Sequence, residues 1–282
     1  MRSLITGARG QLAKEFKRYL VSKNIGDILA LTKDELDISN FERVMEVVNG
    51  FSPSIIINCA AYNLVDRAES YPHEAIRVNT LGVYNLVLAS LKTKALLIHF
   101  STDYVFDGKK AGLYTEDDQP NPINEYGKSK LFGENIIRSS LENYLIFRVS
   151  WLYGEGESNF LYKLSQWAKS QEYLRVACDE FSVPTSTRLV VEITLKAIKE
   201  GLNGLYHLTN SDYCSRYELA KEYFRLVNMK KFIYPAYQAD FNLPAKRPRF
   251  SAMSNEKISK ILNVQIPTWK EELESFIKGR SL

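Results

Sequence analysis

The chain has 282 residues, 45% of them hydrophobic and 25% charged, the balance of an ordinary globular protein, so disordered, collagen-like and disulfide-scaffold readings fall away. Its 37 basic and 33 acidic residues leave a net charge of +4 spread along the whole sequence, which argues against a nucleic-acid surface and suits an anionic small molecule. Cys59, Cys178 and Cys214 are irregularly spaced and form no CxxC pair, so they read as buried small hydrophobes in a reducing compartment and not as a metal site.

In chain order, the opening MRSLITGARG has too short an apolar run for a signal peptide. No stretch reaches the roughly 18 apolar residues of a membrane span, and a cytoplasmic location is expected. Ser3 to Thr6 predicts a strand, and Leu12, Phe16 and Leu20 at four-residue spacing predict the helix after it. Ile28 to Thr32 reads as a second strand, and Ser39 with Glu42 as the capping box of a second helix. Strand Ser54 to Asn58, a long helix from about His73 to Leu91, strand Leu96 to Thr102, a helix from Tyr126 to about Ser140 and strand Leu145 to Trp151 continue the alternation. Strands and helices repeated in this order imply parallel pairing and right-handed crossovers, hence an α/β fold with a Rossmann-type doubly wound sheet. Asp107 to Asn124, rich in Gly, Pro, Asn, Asp and Lys, is a loop of a length that usually serves function. Beyond Trp151 the pattern loosens into helical Asn159 to Lys169, strand-like Leu174 to Cys178, helical Ser186 to Glu200, strand-like Leu205 to Thr209 and a helix capped by Ser215 with Glu218.

Three stretches carry chemistry. Gly7 and Gly10 lie in the first strand-to-helix junction, where a glycine turn admits a pyrophosphate and the helix N-terminus offers free N–H groups. Their spacing, G-x-x-G-x-x-A with Ala13, resembles the short-chain dehydrogenase variant of the dinucleotide fingerprint. After the second strand, Lys33 could tolerate a 2′-phosphate and Asp34 could bind a free ribose hydroxyl, so the cofactor is NADPH or NADH with a slight lean to NADPH. Tyr126 and Lys130 stand one helical turn apart, where the lysine should lower the tyrosine pKa and make it a proton donor or acceptor. Thr102 ends the strand before them and can reach the same substrate oxygen. His73, His99 and His207 are isolated from one another and from the cysteines and read as structural residues.

These residues resemble those of the extended short-chain dehydrogenase/reductases, and within them the dTDP-4-dehydrorhamnose reductase family. The resemblance rests on Gly7-x-x-Gly10-Gln11-Leu12, Leu36-Asp37-Ile38, Asn58-Cys59-Ala60-Ala61-Tyr62 with Val65-Asp66-x-Ala68-Glu69, Val78-Asn79, Ser101-Thr102-Asp103-Tyr104-Val105-Phe106-Asp107-Gly108, Tyr126-Gly127-Lys128-Ser129-Lys130, Arg148-x-Ser150-Trp151 and the tail from Arg247-Pro248 to Ser251. It implies that Gly10, Gln11 and Leu12 hold the pyrophosphate, that Asp37 and Ile38 border the adenine, and that Ala60, Ala61, Tyr62 and Asn79 line the cofactor. It implies too that Thr102, Tyr126 and Lys130 are catalytic, and that Asn63, Val65, Asp103, Tyr104 and Trp151 face a sugar nucleotide. Residues 1–155, with a later contribution from about 184–210, would then be the NAD(P)-binding domain, and 156–282 mainly the substrate-binding lobe.

The activity so implied is NAD(P)H-dependent reduction of the C4 ketone of a 4-keto-6-deoxy sugar nucleotide, with dTDP-4-dehydro-L-rhamnose the first choice. No nucleic-acid or membrane partner is expected, and a homodimer is compatible with this reading. Two alternatives stand beside it. One is another sugar-nucleotide reductase or epimerase of the superfamily; related dehydratases carry a glutamate where this chain has Tyr104, which disfavours elimination chemistry. The other is a non-catalytic subunit resembling the partner of methionine adenosyltransferase. Where the family usually has Asp-Gln-x-Gly-x-Pro-Thr followed by an acidic residue, this chain has Asp179-Glu180-Phe181-Ser182-Val183-Pro184-Thr185 and then Arg188, so the substrate lobe departs from the pattern.

Overall fold

A computed structural model describes residues 1–279. Its first half runs β1 (Arg2–Thr6), α1 (Gln11–Ser22), β2 (Asp27–Leu31), α2 (Phe41–Phe51), β3 (Ile55–Asn58), α3 (Val65–Ser70), α4 (Pro72–Ile76), a π-helical stretch Arg77–Gly82, α5 (Val83–Thr93), β4 (Leu96–Thr102), α6 (Glu125–Ser140) and β5 (Tyr144–Val149). Then follow β6 (Leu152–Tyr153), α7 (Phe160–Ser170), β7 (Tyr173–Ala177), β8 (Phe181–Ser182), β9 (Thr185–Ser186), α8 (Thr187–Lys199), β10 (Gly204–His207), β11 (Cys214–Ser215), α9 (Arg216–Leu226), β12 (Phe232–Ala236), α10 (Glu256–Leu262) and α11 (Trp269–Lys278).

Six strands form one parallel sheet in the order β10-β5-β4-β3-β1-β2. Because the side chains of a strand alternate between faces, Ile5, Ile57, Ile98 and Phe147 enter one apolar core with α1 and α8, while Leu4, Ile56, Leu97 and Ile146 enter another with α2, α5 and α6. Strands covered on both faces must be apolar throughout, which is why β3 reads Ile-Ile-Ile before Asn58. The chain order reverses between β1 and β3, and the crevice beyond the carboxyl ends of the strands opens there. A smaller core gathers Leu161, Leu174, Leu219, Phe224, Trp269 and Leu273 from α7, β7, α9 and α11, with β12 paired parallel to β7. Among the described residues no helix is long and apolar enough to cross a membrane.

Several local expectations shift. Helix α2 is capped by Asn40, whose side chain accepts from Arg43 N–H at 2.9 Å; the Ser39 hydroxyl already donates to Asp37, so no Ser39–Glu42 box forms. The long helix from His73 is broken by the π-helical stretch, where Asn79 and Thr80 reach across to Ser129 on α6. Strand β5 stops at Val149, because Trp151 takes a left-handed conformation with φ of 39°. The Ser215–Glu218 box, in contrast, forms as expected. Cys214 is buried, but Cys59 and Cys178 are only half-buried.

One ion pair lies inside the sheet layer. Arg148 on β5 makes three hydrogen bonds of 2.7–3.2 Å to Glu134 on α6, and both side chains are 2% exposed or less. Removing one charge would strand the other in a low-dielectric interior. Glu134→Gln should therefore lower stability by about 3 to 5 kcal/mol, read as a fall in the midpoint of denaturant unfolding. A midpoint within error of wild type would show that the pair carries no such weight.

Candidate active site

Strand β1 runs into Gly7, whose φ of +68° suits glycine and whose absent Cβ would otherwise meet the Ala60 backbone at 2.9 Å. Gly10 then caps α1 without a side chain, so the first-turn N–H groups have no side-chain acceptor, an arrangement that suits a phosphate. Gly10, Gln11 and Leu12 line a cavity of about 320 Å³ at the switch point. A second cavity of about 240 Å³ shares Gly10, Ala60, Ala61 and Asn63 with it and is walled by Gly7, Lys33, Asp37, Ile38 and Tyr62. Two joined chambers meeting at a glycine-lined turn fit a dinucleotide, its pyrophosphate at the turn. Gln11 contributes through its backbone, since its side chain donates to the Leu152 carbonyl and accepts from Asn159.

At the outer chamber, Lys33 lines the wall, whereas Asp34 turns away into an exposed ion pair with Arg9 at 2.7 Å. Burial works against ionised Asp37, but hydrogen bonds from Ser39 and Arg77 outweigh it and hold the carboxyl below its usual range. Asn79 differs from expectation and lines neither chamber. Its carbonyl accepts from Tyr62 N–H at 2.8 Å and its amide donates to the Tyr62 carbonyl and to Ser129, so it holds the chamber wall from behind.

Asn124 starts α6 by accepting from Gly127 N–H at 2.7 Å, and so places Tyr126 and Lys130 on the face turned to β4. The Tyr126 hydroxyl donates to Asn63 Oδ1 at 3.4 Å, and its ring meets Tyr104 edge-on. Burial pushes the Tyr126 phenol above its ordinary value, with the nearby Thr102 hydroxyl opposing the shift. The expected depression by Lys130 is not found. The lysine amine points away, donating to the Phe100 carbonyl at 2.6 Å with His99 Nε2 at 3.4 Å, and burial pushes it down to about 8.

The inner chamber is walled by Asn63, Val65, Thr102, Asp103, Tyr104 and Trp151, together with Arg216, which the sequence did not single out. The Arg216 guanidinium lies 3.6 Å above the Trp151 ring and pairs with Glu180, which in turn accepts from the Tyr104 hydroxyl at 3.1 Å. One face of Trp151 is therefore cationic and not a bare apolar wall. Asp103 is buried, accepting from Ser182 and Ser251 as well as Thr102; burial raises its pKa to about 6 against those hydrogen bonds. Arg188 stands apart from both chambers, bound to Glu272. No local signal marked Arg216, because its stacking partner lies on another element 65 residues earlier.

Residues 1–281 match the family model described as RmlD substrate binding domain. The spore coat polysaccharide biosynthesis protein SpsK of Bacillus subtilis is 35% identical, over 99% of this chain and 97% of its own. The dTDP-4-dehydrorhamnose reductase of Escherichia coli is 34% identical, over 96% and 95%. Among solved structures, dTDP-4-dehydrorhamnose reductase of Bacillus anthracis in complex with NADP superposes with a TM-score of 0.95, at 37% identity over 99% of both chains. With its sheet order, its two chambers and its Thr102-Tyr126-Lys130 constellation, the chain belongs to the dTDP-4-dehydrorhamnose reductase family of NAD(P)H-dependent oxidoreductases.

Proposed function

We propose that this protein reduces the C4 ketone of a 4-keto-6-deoxy sugar nucleotide, with dTDP-4-dehydro-L-rhamnose as substrate. The observation that carries the reading is the convergence of Thr102, Tyr126 and Asn63 on one chamber, next to a glycine turn suited to a pyrophosphate. The relatives named as reductases of that sugar support the choice of substrate. When bound, the nicotinamide cofactor supplies the hydride that makes the ketone carbon an alcohol carbon. Tyr126 keeps its proton at neutral pH, because burial raises its pKa, and gives it to the oxygen as negative charge develops there. Thr102, whose hydroxyl donates to Asp103 at 3.2 Å in this structure, would turn that one proton to the same oxygen as a second donor. Gly10, Gln11 and Leu12 would hold the pyrophosphate, Lys33, Asp37, Ile38 and Tyr62 would border the adenosine half, and Ala60, Ala61 and Lys130 would lie along the nicotinamide half.

On the substrate side, the edge of Trp151 and the Arg216 guanidinium offer a flat surface with a fixed positive charge, suited to a sugar joined to a diphosphate. Asn63, Val65, Asp103 and Tyr104 complete the wall, Asp103 through its backbone position more than its carboxylate, which is already engaged by three hydroxyl donors.

Replacing Tyr126 by Phe keeps the ring and removes the acid, so kcat on dTDP-4-dehydro-L-rhamnose should fall by about two to four orders of magnitude with cofactor affinity little changed. Turnover near wild type would remove Tyr126 from the mechanism. Trp151→Ala should raise KM for the sugar nucleotide while NADPH binding stays unchanged, and a weakened NADPH affinity would place the indole in the cofactor half instead. For cofactor choice, Lys33 acts as a point charge on an exposed rim, worth about 0 to 1 kcal/mol and screened by salt. The ratio of kcat/KM for NADPH over NADH should therefore stay below about tenfold and shrink as ionic strength rises; a preference for NADH that ignores salt would rule out this role for Lys33.

A further inference from the structure

Behind the catalytic face a buried chain of polar side chains leads to Lys130, and the proposed chemistry leaves the rest of that chain unused. Thr6 Oγ1 donates to Asn58 Oδ1 at 2.7 Å, Asn58 Nδ2 lies 3.0 Å from His99 Nδ1, and His99 Nε2 lies 3.4 Å from Lys130 Nζ. Thr6, Asn58, His99 and Lys130 are each 2% exposed or less. The direction of every hydrogen in the chain follows from one backbone group. Ala60 N–H can only donate; it lies 3.2 Å from Asn58 Oδ1 and 3.3 Å from Thr6 Oγ1, and an amide nitrogen in place of that oxygen would set two donors face to face, so the oxygen faces Ala60 and the Nδ2 faces the imidazole. Since Nδ2 is a donor, His99 Nδ1 has to accept, and a neutral imidazole that accepts at Nδ1 carries its proton on Nε2. That N–H is aimed at Lys130.

We propose that His99 is a positioning residue for Lys130: locked by Asn58 in its Nε2–H tautomer, it presents a donor to the lysine amine and favours the free amine over the ammonium. An ammonium has donors only and gains nothing from a second donor, whereas a free amine has a lone pair that takes the Nε2–H while an N–H still donates to the Phe100 carbonyl. Burial acts in the same direction on Lys130, and it holds His99 well below its ordinary pKa so that the imidazole stays neutral. The charged or titratable neighbours do not reverse this. Glu134 favours the ammonium but is engaged by Arg148, and Cys59, beyond β3, is held as a thiol by burial. That Lys130 serves a reductase site rests on the proposed function; the protonation states are properties of the protein alone.

The test uses ligand-free full-length protein labelled with 15N-histidine and with lysine carrying 13C at the ε position. The chain has three histidines, and the His99 signals are those lost in His99→Gln. Between pH 6 and 9 the wild-type His99 should show a protonated Nε2 and a bare Nδ1, with no imidazolium. A proton on Nδ1, or an imidazolium in that range, overturns the proposal. Asn58→Asp supplies the reverse case and a second assignment route should His99→Gln fail to fold. Its carboxylate accepts where the amide donated, so the proton should move to Nδ1 and the Lys130 titration should rise by about one pH unit or more. An unmoved tautomer, or a Lys130 titration identical to wild type, also overturns it. If no keto sugar is turned over but the spectra behave as stated, the reductase assignment fails and the tautomer lock stands.

Discussion

Helix α6 can lie as close to β4 as it does because two of its residues lack a side chain. A Cβ at Gly127 would strike the Tyr104 carbonyl, and one at Gly133 would strike the Asn79 carbonyl. With both gone, the helix rests backbone against backbone between the end of β4 and the π-helical stretch, while Thr80 on that stretch bonds the Ser129 carbonyl. Lys130 lies between these two contacts and Tyr126 directly beside the first, so the closeness of the helix sets how far each reaches. That is why the lysine amine finds the Phe100 carbonyl at all, and why Tyr126 is near Asn63 and Tyr104 and not out in solvent.

The buried polar groups that frame the site satisfy one another. They do so largely across the boundary between the large sheet and the smaller lobe. Asp103 at the end of β4 accepts from Ser182 and Ser251, Tyr104 reaches Glu180, and Asp66 at the start of α3 binds Arg247 at 2.7 Å. Hydrogen bonds to charged groups are worth roughly 1.5 to 3 kcal/mol each when buried, and breaking one costs more than its formation contributes. The lobe is thus tied to the sheet by specific polar contacts that surround the chamber, beside a small apolar cluster of Val105, Phe106, Tyr114 and Met253.

The same economy of partners gives the two ionisable groups of α6 different surroundings. Tyr126 faces a chamber that burial makes unfavourable for a phenolate, so it is kept as an acid. Lys130, one turn on, faces inward to a carbonyl and an imidazole, and loses its proton more readily than a solvated lysine. Neighbouring groups with pKa values pushed apart by environment are what an acid–base site requires. Here the separation comes from which side of the helix each group meets and not from the two groups acting on one another, which is where the Tyr-x-x-x-Lys spacing alone misleads.

Much of this was legible in the residues themselves. Runs of β-branched side chains bounded by turn residues located the sheet strands within one or two positions, and the Ser215–Glu218 pair named its own cap, because these signals depend on neighbours within one turn or one strand. The two glycines after β1 and the Tyr126–Lys130 spacing marked the crevice for the same reason. What the tertiary structure alone decided were the partners: Asn40 and not Ser39 as the cap of α2, Asn79 behind the wall and not in it, Lys130 turned to Phe100 and His99, Asp34 drawn off by Arg9, and Arg216 laid over Trp151. Each of these is a choice among several competent hydrogen-bond or stacking partners. It is settled by which groups remain unsatisfied once distant segments pack together, and no local period in a sequence carries that information.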